Sequence, residues 1–246
     1  MQWLADLMTA SFLVAAMFVA AAGLMRGFTG FGSGMVMAPI FAILFGPVET
    51  VVMVIVLEVV VTAQMIPEVR DDIDWRFVFL MGGVAALFMP VGNWLLVNVD
   101  AELIGRAMAA IVLVFVIVLM TGWRYRGERR TPVTLGIGAL SGVLSAATAL
   151  GNPPVILYLM AGQGSAAETR ANMTAYFAVT FAVLLALMSA RGLMSWEAVG
   201  RAGILLPLFM AAAWLGGRLF RRSGEVLYRR FALVFLAGVG LYGLVR

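Results

Sequence analysis

The sequence predicts an all-α integral membrane protein made of two inverted repeats, and three observations lead to this fold class. The 246-residue chain is 63% apolar and only 12% charged, and its mean hydropathy of +1.02 exceeds what a soluble core requires. Polar breaks divide the chain into apolar segments, most of them near the length of about 20 residues that crosses a bilayer. A glycine- and proline-rich interruption opens each half of the chain.

The polar breaks give ten segments, five on each side of one long polar connector. The first five segments are roughly 5–25, 35–46, 49–67, 76–97 and 102–123. The second five are roughly 133–150, 153–162, 167–190, 195–216 and 225–245. Each half is therefore a broken or short helix pair followed by three transmembrane helices. This divides the chain into a first repeat (1–123), a cytoplasmic connector (124–132) and a second repeat (133–246).

Arginine placement predicts the orientation, because cytoplasmic loops carry an excess of basic residues. Two clusters stand out, Arg124, Arg126, Arg129 and Arg130 in the connector, and Arg218, Arg221, Arg222, Arg229 and Arg230 near the end. Four crossings between them put both clusters in the cytoplasm and both chain termini outside. Five elements per half is an odd number, so the two halves face opposite ways across the membrane, as in an inverted repeat.

The first interruption is the stretch Arg26–Pro39, which contains the glycines Gly27, Gly30, Gly32 and Gly34. Glycine at this density does not favour a lipid-facing helix, because it adds conformational entropy to the unfolded chain and bares its backbone amide. In hydrocarbon, bare amides are tolerated only beside protein or water. We therefore expect the stretch to line a cavity.

A weaker copy of this pattern lies 115 residues downstream. The offset superposes three pairs of residues, Gly23 on Gly138, Gly27 on Gly142 and Pro39 on Pro154. Paired interruptions at corresponding positions of two halves are the best sequence indication of a transporter's binding site.

With these features the sequence resembles the sulfite exporter TauE/SafE family of membrane permeases. The resemblance is carried by the glycine-rich segment 27–34 leading to Pro39, by its echo between Gly138 and Pro154, and by the chain's size with an arginine-rich connector. It implies a permease for small sulfur-containing anions such as sulfite, sulfonates or related carboxylates, usually directed outward. We expect a multi-pass protein of a bacterial-type inner (cell) membrane. Residues 146–152, AATALGN, depart from the expected second glycine cluster, so the substrate stays open.

An anion in a dry site needs hydrogen-bond donors, and helix N-termini supply exposed amides at the positive end of a dipole. Segments 2 and 7 begin near Ser33 and Asn152, and in an inverted repeat these two starts converge near the midplane. The candidate substrate-binding residues are Arg26, Gly30, Gly32, Ser33, Gly34, Thr148, Asn152, Arg170, Asn172 and Tyr176. The alternative is that the glycines only allow close helix packing.

Segment 8 carries polar residues on one face, Asn172, Tyr176 and Thr180, at i, i+4 and i+8. They are either neutral donors to the substrate or partners in hydrogen bonds between helices. Arg26 and Arg170 are each either an interfacial anchor or a cation that grips an oxyanion with two hydrogen bonds.

Glu58 lies in segment 3, nine residues from either end and therefore about 13–14 Å from each interface. A carboxylate at that depth is costly in lipid and is a functional candidate by default. Because the chain has no histidine, Glu58 is the candidate for proton coupling. The alternative is a neutral acid that only hydrogen-bonds a neighbouring helix.

We expect a secondary transporter rather than an enzyme, without cofactors. Cysteine and histidine are both absent, which removes disulfides, thiolate and imidazole metal sites and the common catalytic triads. No Walker A sequence is present. The alternatives are an intramembrane enzyme, for which Glu58 alone offers no catalytic pair, and a structural subunit of a membrane complex. The expected partners are a small anionic substrate and the lipid bilayer, with no nucleic acid, and a homodimer stays open.

Overall fold

The computed structural model describes residues 10–121, 131–150, 152–160 and 165–220, and all regular structure within these ranges is helical. The described ranges contain nine α-helices and one short 3-10 helix, Arg70–Asp72. The α-helices are α1 (Ala10–Thr29), α2 (Ser33–Phe45), α3 (Pro47–Val69), α4 (Trp75–Asn98), α5 (Ala101–Met120), α6 (Thr131–Thr148), α7 (Asn152–Met160), α8 (Ala166–Ala190) and α9 (Trp196–Phe220). They correspond in order to the first nine predicted segments. The tenth segment and all but the last two residues of the connector lie outside the described residues.

Seven of the described helices are long and apolar enough to cross a membrane, and α2 and α7 are not among them. With 13 and nine residues, α2 and α7 extend about 20 Å and 14 Å, short of a hydrocarbon core of about 30 Å. Large apolar side chains cover the outside of the bundle, for example Phe79, Leu87 and Val91 on α4. The structure therefore confirms an all-α integral membrane protein.

Local sequence signals set several helix boundaries. Gly46 turns the chain between α2 and α3 at a φ of 84°, and Pro47 then occupies the start of α3, where its missing N–H is harmless. Asp74 caps α4 by accepting a hydrogen bond from the Phe77 amide. Ser165 opens α8 with a capping box.

Glycines allow two helix pairs to approach at backbone distance. Gly23 and Gly27 on α1 lie against α9, and Gly138 and Gly142 on α6 lie against α4. At each position an added Cβ would overlap an atom of the opposing helix. These four residues are the glycines that the 115-residue offset superposes. Here they serve close helix packing, as small residues do in membrane bundles.

The packing partners of the two halves correspond to each other. Helix α1 of the first half packs on α9 of the second, and α6 of the second packs on α4 of the first. In the same way, α3 packs on α9 and α8 packs on α4, while α3 and α8 pack on each other. Each contact thus has a counterpart with the halves exchanged. The inversion of the second half, and the boundaries of the two repeats, stay predictions.

Both helix interruptions lie inside the bundle and contact each other. Ser33, the first residue of α2, bonds to Glu58, which stands eleven residues from either end of α3. Since α3 is long enough to span, the first interruption lies half-way along a spanning helix. A Cβ on Gly34 would lie 3.0 Å from the carbonyl oxygen of Ala149, just after the end of α6. The chain breaks therefore meet near the middle of the bundle.

Candidate functional site

A buried ion pair lies at the centre of the candidate site. Arg26 is in the last turn of α1, Glu58 is at the centre of α3, and each is only 1% exposed. Nε of Arg26 lies 3.3 Å from Oε2 of Glu58. Charges at this depth in a membrane protein are rare and face the bundle interior, where they pair. Arg26 is thus an internal cation and does not lie at the surface as an anchor would.

The remaining donors of Arg26 hold the first interruption in place. Nη1 donates a hydrogen bond to the carbonyl of Gly30, and Nη2 donates to Oγ1 of Thr62 at 2.8 Å. The Gly30 amide in turn donates to the carbonyl of Arg26 at 2.8 Å. The guanidinium carbon stands 4.7 Å from the centre of the Phe177 ring, within cation–π distance. Arg26 therefore connects α1, the glycine loop, α3 and α8.

Glu58 is bound on one oxygen and leaves the other outside any hydrogen bond. Its Oε1 accepts from the Ser33 hydroxyl at the start of α2. Among the described residues, Oε2 of Glu58 and Nε of Arg26 are buried atoms without a hydrogen-bond partner. Their 3.3 Å contact is thus an ion pair that lacks hydrogen-bond geometry. The pair therefore leaves Nε of Arg26 and Oε2 of Glu58 without a hydrogen bond.

Gly30 and Gly32 adopt backbone angles that side chains disfavour, with φ values of 79° and 92°. A Cβ on Gly30 would lie 2.9 Å from Cγ of Arg170, and one on Gly32 would overlap the Met25 side chain. Gly32 is the N-cap of α2 and has no side-chain cap. Ser33 and Gly34 are the first two residues of α2. Their backbone N–H groups have no carbonyl partner inside the helix, as is usual at a helix start.

The second interruption is built on an alanine rather than on glycines. Ala149 has a φ of 57° and is the one non-glycine residue with positive φ in the described ranges. Thr148 supports the turn, since its hydroxyl donates to the Leu144 carbonyl at 2.7 Å and accepts from the Leu150 amide at 3.2 Å. Helix α7 then begins at Asn152, as predicted. Residues held in sparsely populated backbone regions cluster at functional sites.

Two residues on the polar face of α8 bond to other parts of the bundle, and the third bonds within α8. Oδ1 of Asn172 accepts from the Asp74 amide at 2.8 Å, and the Tyr176 hydroxyl lies 2.7 Å from Oγ of Ser141. Thr180 donates to the carbonyl of Tyr176 at 2.9 Å. None of these bonds goes to the ion pair. The bonds of Asn172 and Tyr176 are of the kind that the interhelical alternative expects, and their role in substrate binding stays a prediction.

Arg170 lies beside the first interruption at the edge of the bundle. Its aliphatic stem covers Gly30, and its Nη2 stands 3.7 Å from Oε2 of Glu68. The Arg170 side chain is 21% exposed, in contrast to the 1% of Arg26. Of the predicted residues, the structure thus gathers Arg26, Gly30, Gly32, Ser33, Gly34, Glu58, Thr148 and Arg170 around the two interruptions. The structure does not describe the side chain of Asn152.

Three residues of the site were not predicted: Thr62, Phe177 and Ala149. Thr62 follows Glu58 by four residues and therefore shares its helix face, so the spacing was a usable signal. Phe177 is one apolar residue among many, and only the folded bundle places it over Arg26.

The profile of the sulfite exporter TauE/SafE family matches residues 14–243. This range covers nearly the whole chain, including both interruptions and the buried ion pair. The chain belongs to the sulfite exporter TauE/SafE family. Neither curated proteins nor solved structures show a significant match to it. Membership in this family makes the chain a multi-pass membrane transporter, and it confirms the resemblance found in the glycine-rich segment.

Proposed function

We propose that this TauE/SafE family member exports a small sulfur-containing anion, such as sulfite or an organosulfonate, across a bacterial-type inner membrane. The observation that carries the proposal is the burial of Arg26 at the first helix interruption, half-way along α3. Transporters bind substrate near the midplane where discontinuous helices meet. A guanidinium at that point supplies the charge that an anion needs.

The backbone around Arg26 supports an anion site. The N-terminus of α2, at Ser33 and Gly34, offers amides and the positive end of a helix dipole. The second interruption stands against Gly34 through Ala149, so α7 begins close by. Sulfite and sulfonate oxygens accept hydrogen bonds from such donors.

The corresponding packing of the two halves supports an inverted repeat. Rocking of one repeat against the other around a fixed site is the usual route to alternating access. The site at the contact of Gly34 with Ala149 joins one residue from each half. In an inverted repeat, such a motion would open this contact to either side in turn.

Glu58 supports proton coupling in this proposal. It is the one buried carboxylate among the described residues, and it contacts both Arg26 and the start of α2. The Glu58 carboxyl group is therefore in direct contact with the proposed substrate site. The alternative is a structural acid that only ties α3 to α1 and α2.

The test is flux through the purified protein alone. Liposomes containing the protein and loaded with sulfite should release it faster than protein-free liposomes. A thermal-shift screen with sulfite, sulfate, taurine and simple carboxylates identifies the preferred anion, because a ligand that binds only the folded state raises its apparent stability. Folded protein that moves none of these anions would contradict transport and favour a subunit of a larger complex.

A further inference from the structure

Two atoms of the ion pair, one on each member, make no hydrogen bond, and they face each other. Both Nη groups of Arg26 donate to the protein, one to Gly30 and one to Thr62. Oε1 of Glu58 accepts from Ser33. The atoms outside any hydrogen bond are Nε of Arg26 and Oε2 of Glu58, and these are the atoms that face each other at 3.3 Å.

Each Nη group of Arg26 holds the chain break with one of its two N–H donors, and Nε is the guanidinium nitrogen that makes no hydrogen bond. An anion that grips Arg26 through Nε and a neighbouring Nη therefore meets Oε2 of Glu58 at Nε. Glu58 therefore occupies the place of the anion's oxygen. Two negative oxygens on one guanidinium nitrogen, in a buried site of low dielectric, repel each other strongly.

A proton on Glu58 removes this conflict. The carboxylic acid carries no charge, and its O–H becomes a donor that can point at the same anion oxygen. The charge balance closes as well. The resting pair of Arg26 and Glu58 is neutral, an added monovalent anion brings one negative charge, and one proton restores neutrality in the bundle interior, where net charge is expensive.

Resting on the proposed anion transport, we propose that Glu58 is the counter-ion which the substrate displaces from Arg26, so that each monovalent anion moves together with one proton. Proton uptake is then a condition for binding rather than a separate event. Both the empty and the loaded carrier are neutral. Transport is therefore electroneutral: it responds to the gradients of the anion and the proton and does not respond to the membrane potential.

The other charged groups on the elements around Glu58 are either paired elsewhere or exposed, so Glu58 is the candidate for carrying the proton. Helices α2 and α6 contain no charged residue. On α8, Arg170 is near Glu68 and Tyr176 bonds to Ser141. On α9, Arg201 pairs with Glu49 at the opposite end of α3 from Glu68.

The remaining elements that pack on α3 carry their charges at the surface. Within the described residues these are Arg70, Asp71 and Asp72 on the 3-10 helix, Arg76 on α4, and Glu102 and Arg106 on α5. None of them is buried. A proton that accompanies the anion at mid-bundle therefore has Glu58 as its one buried acid in this part of the chain.

The experiment measures protons and anions together in liposomes that contain the full-length protein. Methanesulfonate is the probe beside sulfite, because its own charge does not titrate near neutral pH. An internal pH dye counts protons, and valinomycin with potassium sets the membrane potential. We expect one proton per methanesulfonate and a flux that does not respond to the potential.

Glu58→Gln keeps the shape of the side chain and cannot titrate. In this variant we expect anion exchange to persist, the proton-to-anion ratio to fall at least tenfold, and net flux to become sensitive to the membrane potential. Glu49→Gln is the matched control, since it removes the carboxylate of another Arg–Glu pair on α3, nine residues away from Glu58 along the helix. Its proton-to-anion ratio should equal that of the wild type.

The outcomes separate the inference from the proposed function. Anion flux in the wild type that is driven by potential and moves no proton overturns the counter-ion role alone. Unchanged proton coupling in Glu58→Gln overturns it too. Absence of any flux of sulfite or methanesulfonate overturns the transport function and the inference with it. The proton-to-anion ratio of the wild type is measured without any variant. It therefore tests the inference even where the Glu58→Gln protein fails to fold.

Discussion

Gly34 and Ala149 touch each other, and they form a further pair of residues that the 115-residue offset superposes. A Cβ on Gly34 would lie 3.0 Å from the Ala149 carbonyl oxygen. The predicted inverted repeat would account for this contact, because two equivalent residues of a pair of repeats are neighbours only close to the axis that relates the repeats. The two chain breaks meet at this contact, and the buried pair of Arg26 and Glu58 lies beside it.

Gly34→Val should abolish anion binding while leaving a folded protein. The valine Cβ has 3.0 Å to the Ala149 carbonyl, and its two methyl groups add bulk at the first turn of α2. Gly203→Val on α9 is the control, because nothing lies within 4 Å of a Cβ there. Calorimetric titration with the anion found in the thermal-shift screen measures both. An unchanged affinity in monodisperse Gly34→Val would place the site elsewhere.

Removing one member of the buried ion pair should cost more stability than removing both. Arg26→Gln or Glu58→Gln leaves its partner buried and unpaired, and such losses are about 3–5 kcal/mol. The double variant should therefore be less destabilised than either single variant, and a double-mutant cycle on thermal unfolding measures the coupling between the two charges. Additive effects would mean that the two charges do not interact. The double variant should also fail to bind the anion, because it lacks the cation.

Ala149→Gly should stabilise the protein, although glycine usually destabilises. Ala149 has a φ of 57°, which costs a residue with a Cβ roughly 1–2 kcal/mol and costs glycine little. Ala147→Gly, two residues earlier within α6, is the control and should destabilise by about 0.5–1 kcal/mol. The melting temperatures of the two variants should therefore move in opposite directions. A lower melting temperature for both would refute the strained conformation.

Introduced cysteines test the orientation, and the natural chain has no cysteine to interfere. Cysteines at positions 127 and 223 should resist impermeant thiol reagents in intact cells, whereas one at position 2 should react. Reaction at 127 and 223 but not at 2 would reverse the orientation and keep the repeat. Different behaviour of positions 127 and 223 would contradict an even number of crossings between them, and with it the inverted repeat.

The positions of the helices and of the two chain breaks could be predicted from the sequence. Apolar run lengths located the nine described helices within a few residues, because hydrocarbon thickness limits helix length. The starts of α2 at Ser33 and α7 at Asn152 followed from glycine and proline, which punctuate helices locally.

The partners of the site residues depended on the tertiary fold instead. Asn172 and Tyr176 were predicted as substrate donors from their shared helix face. Their bonds to Asp74 and Ser141 were not predicted, because those residues are distant in the chain. Arg26 and Glu58 were each identified as candidates by their depth or position. Their pairing was not, because 32 residues and a complete short helix separate them.

The packing of α1 on α9 has a consequence for how the protein is made. Gly23 lies against Ala212, so the first described helix is completed by a helix that leaves the ribosome 189 residues later. Contacts between residues so far apart in sequence form slowly, because the chain between them must first be ordered. The glycine face of α1 therefore lacks its packing partner until α9 has been synthesised. The surroundings of Arg26, one residue before Gly27, are completed only when α9 docks on α1.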